Sequence, residues 1–152
     1  MDKILKEAQQ LRLQYYRQIL QIDTPEDYAL QDYQSDWHEA QATARRLLTS
    51  MDSSDLTPVQ EARLLLTLFV ALQVGYRDSA LFHQATDRAA LLLPLLPDGK
   101  LKAHLLVHLY CETEDDTLLP IIDYLLPTLT TSPTEEDHYL QAFFEPVQES
   151  LL

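Results

Sequence analysis

Only two glycines, Gly75 and Gly99, and one cysteine, Cys111, occur among the 152 residues. Each scarcity closes off a class of protein. A phosphate-cradling loop or a GxSxG nucleophile elbow draws on several glycines at close spacing, so neither can be written here. Two-residue β-hairpin turns lose their preferred material as well. Plentiful Leu, Ala, Gln and Glu instead favour helices joined by short turns marked by Pro or Asp. A lone cysteine forms no internal disulfide, and no basic-then-apolar leader opens the sequence, so a reducing, cytoplasmic setting is expected. Basic residues are missing from one end: residues 111–152 hold ten acidic side chains and no Lys or Arg, within a net charge of −13. Such a chain repels phosphate backbones and anionic lipid headgroups, which argues against direct nucleic-acid or membrane binding. Apolar runs are short, and the stretch from Leu64 to Val74, interrupted only by Thr67 and Gln73, spans 11 residues against the ~20 needed to cross a bilayer.

That stretch is nevertheless the organising element. A helix over residues 57–76 is apolar on nearly every face through this run, so other helices must enclose it. Thr57 as N-cap, Pro58 at the first helical position and Gln60 reaching back spell a capping box, and Gly75 suits the left-handed residue that ends the helix. The apolar rhythm elsewhere predicts its neighbours. Ile4, Leu5, Ala8, Leu11 and Ile19 place one helix over 2–22, and the Asp-Thr-Pro-Glu-Asp sequence at 23–27 breaks and restarts the chain. One or two helices cover 28–50, with a kink expected at 31–36, before a polar loop at 51–55. After the central helix, Leu81, Phe82, Ala85, Ala89 and Leu92 stripe a helix that starts at 78 or 79 and closes at Pro94 and Pro97. Leu101, Leu105, Leu106 and Leu109 face inward from a helix over 101–110, and an acidic turn follows at 112–116. The next helix, 117–129, holds Pro120 in its first turn and is bent or ended by Pro127. A last helix over 133–150 is expected to start from a capping box of Ser132 and Glu135 and to kink at Pro146.

The fold expected is all-α: a single domain, 1–152, of about six or seven helices packed as antiparallel helical hairpins around a buried central helix. Residues 57–129 form the core hairpins, 1–50 the N-terminal helices and 133–150 the C-terminal helix. The segments 57–93 and 101–129 follow one another at an offset of ~34–37 residues, the length of tetratricopeptide units. The Trp, Gly and Ala positions of that repeat do not occur together in either segment, so the repeat supplies a geometry, stacked hairpins with an outer groove, rather than a family. A general helical-hairpin scaffold for protein assembly is therefore the alternative reading of function.

The tightest set of potential metal ligands is His104, His108, Cys111 and Glu112, where a spacing of four puts both imidazoles on one helix face. Position 105 is Leu rather than the Glu of HExxH, and no second cluster completes a shell. Two partly exposed histidines beside a core stripe are expected, with neither metal nor cofactor. Acidic neighbours raise the pKa of Cys111 and argue against a nucleophile. The runs 114–116 and 135–137 read as solvated helix starts rather than catalytic carboxylate pairs, so no enzyme activity is expected. Binding is expected instead, with Glu135, Glu136 and Asp137 as an acidic docking surface for a basic protein and Tyr28, Tyr33 and Trp37 as aromatic contacts.

Glu61-Ala62, the leucine-rich run to Leu72, Gly75-Tyr76, Leu101-Lys102, Leu105-Leu106, Tyr110, Glu112, Leu118 and Ile121-Ile122-Asp123 give the stretch from about 57 to 126 its character. In these residues the chain resembles the UpxZ family, small regulators from capsular-polysaccharide loci of gut bacteria that inhibit the NusG-like antiterminators of competing loci. The resemblance implies a non-enzymatic regulator of transcription elongation whose partner is a NusG-like antiterminator.

Overall fold

The computed structural model describes residues 2–20, 30–53, 55–74 and 79–151, with side chains for all of these except residues 2 and 30–37. Regular structure among them is entirely helical. In chain order come α1 (Asp2–Ile19), α2 (Leu30–Ser53), α3 (Pro58–Val74), α4 (Ser79–Leu92), α5 (Lys100–Thr113), α6 (Leu119–Leu125), the single turn α7 (Pro127–Thr130) and α8 (Glu135–Ser150). They pack as antiparallel hairpins around α3, which touches α1, α2, α4 and α5. No helix among the described residues is long and apolar enough to cross a membrane.

α3 is enclosed because its sequence leaves it no face for water. Every residue from Leu64 to Leu72 is buried, and so is Ala62. Burying each Leu or Phe contributes about 1.5–3 kcal/mol relative to leaving it in water. The buried polar residue in that run, Thr67, is satisfied by two contacts: its hydroxyl donates to the Ala8 carbonyl at 2.9 Å and accepts from Arg12 at 2.9 Å. The start of α3 is the expected capping box, with the Thr57 N–H on Gln60 Oε1 at 3.0 Å and the Gln60 N–H on Thr57 Oγ1 at 3.2 Å. Gly75, expected to end the helix, lies outside the described residues, as does the break at 23–27.

Four boundaries differ from the sequence reading. α2 is one helix from Leu30 and continues through Ser53, where a loop had been expected from 51. Met51 is buried against the core and the Ser53 hydroxyl donates back to the Thr49 carbonyl, so the extra turn is held by packing. α5 runs three residues beyond Tyr110 and stops at Glu114, whose φ of 54° is left-handed and whose N–H closes on the Tyr110 carbonyl at 2.8 Å. The helix expected over 117–129 is divided: a 3₁₀ turn at Asp116–Leu118 leads into α6, and Pro127 opens α7, a first-turn position where its missing N–H is harmless. α8 starts two residues later than expected, from a box of Thr134 and Asp137. That register matters for everything that follows.

Candidate partner-binding site

The start of α8 is fixed by charges on other helices. Asp137 is 2% exposed. Its Oδ2 accepts from the Thr134 N–H at 2.9 Å and from Lys100 Nζ at 2.7 Å, and its Oδ1 accepts from His104 Nε2 at 2.8 Å. Lys100 also donates to the Ser132 carbonyl at 3.0 Å. Burial pushes the Asp137 pKa up, but the hydrogen bonds from His104, Lys100 and the Thr134 amide outweigh it and hold the carboxyl well below its ordinary range. With a carboxylate accepting at Nε2, that nitrogen carries a proton, and the buried Nδ1 of His104 has no hydrogen-bond partner among the described residues.

One turn along the same interface, Arg12 of α1 is 6% exposed. Its Nε donates to Glu136 Oε1 at 2.5 Å, and its Nη1 donates to the Arg63 carbonyl at 3.1 Å and to Thr67 Oγ1 at 2.9 Å. At the outer edge Arg17 donates to Glu135 Oε1 at 2.6 Å and to the Tyr139 hydroxyl at 3.1 Å, both half exposed. Hydrogen bonds from Tyr139 and Arg17 lower the pKa of Glu135. Beneath these pairs lies an aromatic layer. His108 stacks on Phe69 with centroids 5.7 Å apart and planes 9° from parallel, and Phe143 lies 5.3 Å away. Its Nε2 is 2.6 Å from the Tyr16 hydroxyl. Burial, then the nearby His104 and Arg12, push the His108 pKa down to about 3, while burial raises that of the Tyr16 phenol. The phenol proton therefore stays on oxygen and donates to a neutral imidazole.

The sign of the resulting pH dependence follows from linkage. His108 has an ordinary value of 6.5 and a folded value of about 3, so between these limits the unfolded chain binds the proton first and stability is lost as pH falls. Asp137 adds little between pH 6.5 and 4.5, because its contribution is present above its ordinary 3.8 and is lost as the pH falls below that value. Taking the pH from 6.5 to 4.5 is expected to remove roughly 2–3 kcal/mol, at about 1.4 kcal/mol per unit. Denaturant titrations across that range measure it. His108→Gln, which keeps an acceptor for Tyr16, should flatten the slope, and an unchanged slope in that variant would assign the effect elsewhere.

Between the α1–α3 surface and the start of α8 and α5 opens a cleft of about 570 Å³. Leu5, Leu66 and Leu101 give it apolar wall. Four of the protein's eleven basic residues line it, Lys6, Arg12, Arg63 and Lys100, against two carboxylates, Glu136 and Asp137. The lining is thus two charges positive in a chain of net −13. Arg12 and Lys100 are taken up by the carboxylates, whereas the exposed Lys6 and Arg63 side chains have no ion-pair partner among the described residues.

The residues singled out from sequence are distributed unevenly. Glu135, Glu136 and Asp137 do come together, yet only Glu135 stays half exposed, on Arg17, while Glu136 and Asp137 turn inward onto Arg12, Lys100 and His104. Tyr28 lies outside the described residues, and Tyr33 and Trp37 lie on α2 with side chains outside them. His104 and His108, expected to be partly exposed, are buried at 3% and 1%. The ligand set read from His104, His108, Cys111 and Glu112 does not assemble. Asp137 and Tyr16 hold the two Nε2 atoms, Glu112 pairs with the Gln73 amide, and burial, then Glu112, push the Cys111 thiol up to about 12. No three His, Cys, Asp or Glu among the described residues are grouped to hold a metal ion. Arg12 and Lys100 were not anticipated. The signal for Arg12 was its spacing, since Ala8, Arg12, Tyr15 and Tyr16 form the buried face of α1 while Leu11 and Leu13 are only partly covered.

No family model and no curated protein matches the sequence. A solved structure does match: the crystal structure of a transcription anti-terminator antagonist UpxZ from Bacteroides uniformis ATCC 8492, at a TM-score of 0.69 and 19% identity, covering 97% of this chain and 94% of that one. The likeness extends well beyond the 57–126 stretch of the sequence resemblance and takes in the helices on either side of it. The chain therefore has the fold of the anti-terminator antagonist UpxZ.

Proposed function

We propose that this protein is a non-enzymatic antagonist of a transcription anti-terminator, acting in the cytoplasm by binding a NusG-like factor of a capsular-polysaccharide locus and keeping it from the elongating polymerase. The observation that carries the proposal is the fold shared with UpxZ over 97% of the chain at a TM-score of 0.69. Stoichiometric binding suits the molecule, since Glu112 and the Nε2 atoms of His104 and His108 are already held by internal hydrogen bonds. Carboxylates of the C-terminal third that remain exposed, among them Asp123, Glu145 and Glu149, give the partner's basic face a long-range attraction that raises the association rate and is screened by salt. Glu135, half exposed, and Tyr33 and Trp37 on α2 are proposed to contact the partner as well.

Affinity capture with the tagged full chain from a lysate of the source organism is expected to recover a NusG-like protein. In a reconstituted elongation reaction, adding the chain at the concentration of that factor should restore termination at a site the factor otherwise overrides. Capture of neither a NusG-like protein nor a polymerase subunit, with read-through unaffected, would overturn the reading.

A further inference from the structure

The cleft beside α8 carries a charge opposite to that of the protein around it, and its two exposed cations, Lys6 and Arg63, have no ion-pair partner among the described residues. We infer that it receives an acidic segment of the partner protein, one Asp or Glu side chain held by Lys6 and Arg63 and an adjoining apolar side chain resting on Leu5, Leu66 and Leu101. This assignment rests on the proposed function for the partner's identity but not for the ligand's chemistry.

Two features select that chemistry. The guanidinium of Arg63 presents a planar fork that matches a carboxylate, with the ammonium of Lys6 as a second point charge. Glu136 and Asp137 stand in the same lining and would repel a dianionic phosphate more strongly than a single carboxylate. The volume of about 570 Å³ lies within the range of pockets that enclose a small ligand or a few side chains. Salt screens the cleft's cations beyond a Debye length of ~8 Å, so the cleft acts only on a segment already delivered to it. It reads identity at contact, after the partner's basic face has been drawn in.

The test uses the full chain and a fluorescein-labelled peptide of Glu, Asp and Leu as probe, followed by anisotropy. Saturable binding is expected, weakened about tenfold or more by Lys6→Glu with Arg63→Glu, an effect of the size measured for close charge pairs. Lys6→Gln with Arg63→Gln should lie between. Both residues are exposed, so an unchanged melt is expected in each variant and separates lost binding from lost fold. The same charge reversal should weaken the anti-terminator captured above. No saturable binding, equal binding by the reversed variant, or displacement by inorganic phosphate or by a single-stranded oligonucleotide at matched charge would each overturn the inference. Capture of no anti-terminator removes the proposed function and leaves peptide binding by the cleft standing. Capture that persists undiminished in the reversed variant removes the cleft's role alone.

Discussion

Leu68→Asp is expected to abolish the cooperative helical melt. Leu68 is 0% exposed at the centre of α3, with buried residues on both sides of it along the helix. An unpaired carboxylate there costs several kcal/mol, drawn from a total stability of about 5–15 kcal/mol, and the cavity left by the lost leucine adds about 2–5 kcal/mol. The buried guanidinium of Arg12 offers no relief, because Glu136, Thr67 and the Arg63 carbonyl already occupy it. Leu72→Asp, at 1% exposure, should behave alike. Far-ultraviolet circular dichroism with thermal denaturation decides it, and a sharp transition retained in both variants would mean that α3 is not what the other helices pack upon.

Asp137→Ala should produce the next largest loss, about 2–4 kcal/mol, because it leaves a buried donor unsatisfied and removes a helix cap, while Lys100, 37% exposed, returns to water. The His104 Nε2–H, 4% exposed at the side chain, would have no acceptor, and α8 would lose the carboxylate that caps its first turn. For a chain of this length the melting temperature should fall by roughly 4–16 °C. Asp137→Asn keeps a neutral acceptor and should recover part of the difference. A melting temperature unchanged in the alanine variant would show that the carboxylate is dispensable to the fold and free to act at a surface. The same geometry changes what charge reversal of Glu135, Glu136 and Asp137 together would report, since it would place cations against Arg17, Arg12 and Lys100 and disrupt the α1–α8 contact.

Features written within one turn of chain were legible in the sequence. The Thr57–Gln60 box and the Leu81, Phe82, Ala85, Ala89 and Leu92 stripe depend on neighbours three to seven residues away, and the structure shows both. Two caps were available before α8, Ser132 and Thr134, and local chemistry does not choose between them. The choice falls to Lys100 and His104 on α5, which reward the register that places Asp137 third in the helix. Periodicity also assigns polar side chains to solvent by default. It therefore set His104, His108 and the α8 carboxylates outside, where matched partners from distant helices hold Asp137, His104 and His108 inside and leave Glu136 mostly covered. The cleft was hidden for the same reason: its cations come from three separate helices, and only their assembly makes a positive site in an acidic chain.

The bond from Arg12 to Glu136 joins residues 124 positions apart. On a translating ribosome at ~5–20 residues per second, roughly 6–25 s pass between the synthesis of one partner and that of the other. Through that interval the nascent α1 can lie on α3 and bond Thr67, but its guanidinium has no countercharge and the far wall of the cleft, which Thr134, Glu136 and Asp137 supply, does not exist. The cleft is thus incomplete in every unfinished chain, and a product truncated ahead of α8 would leave Arg12 and Lys100 without their carboxylates.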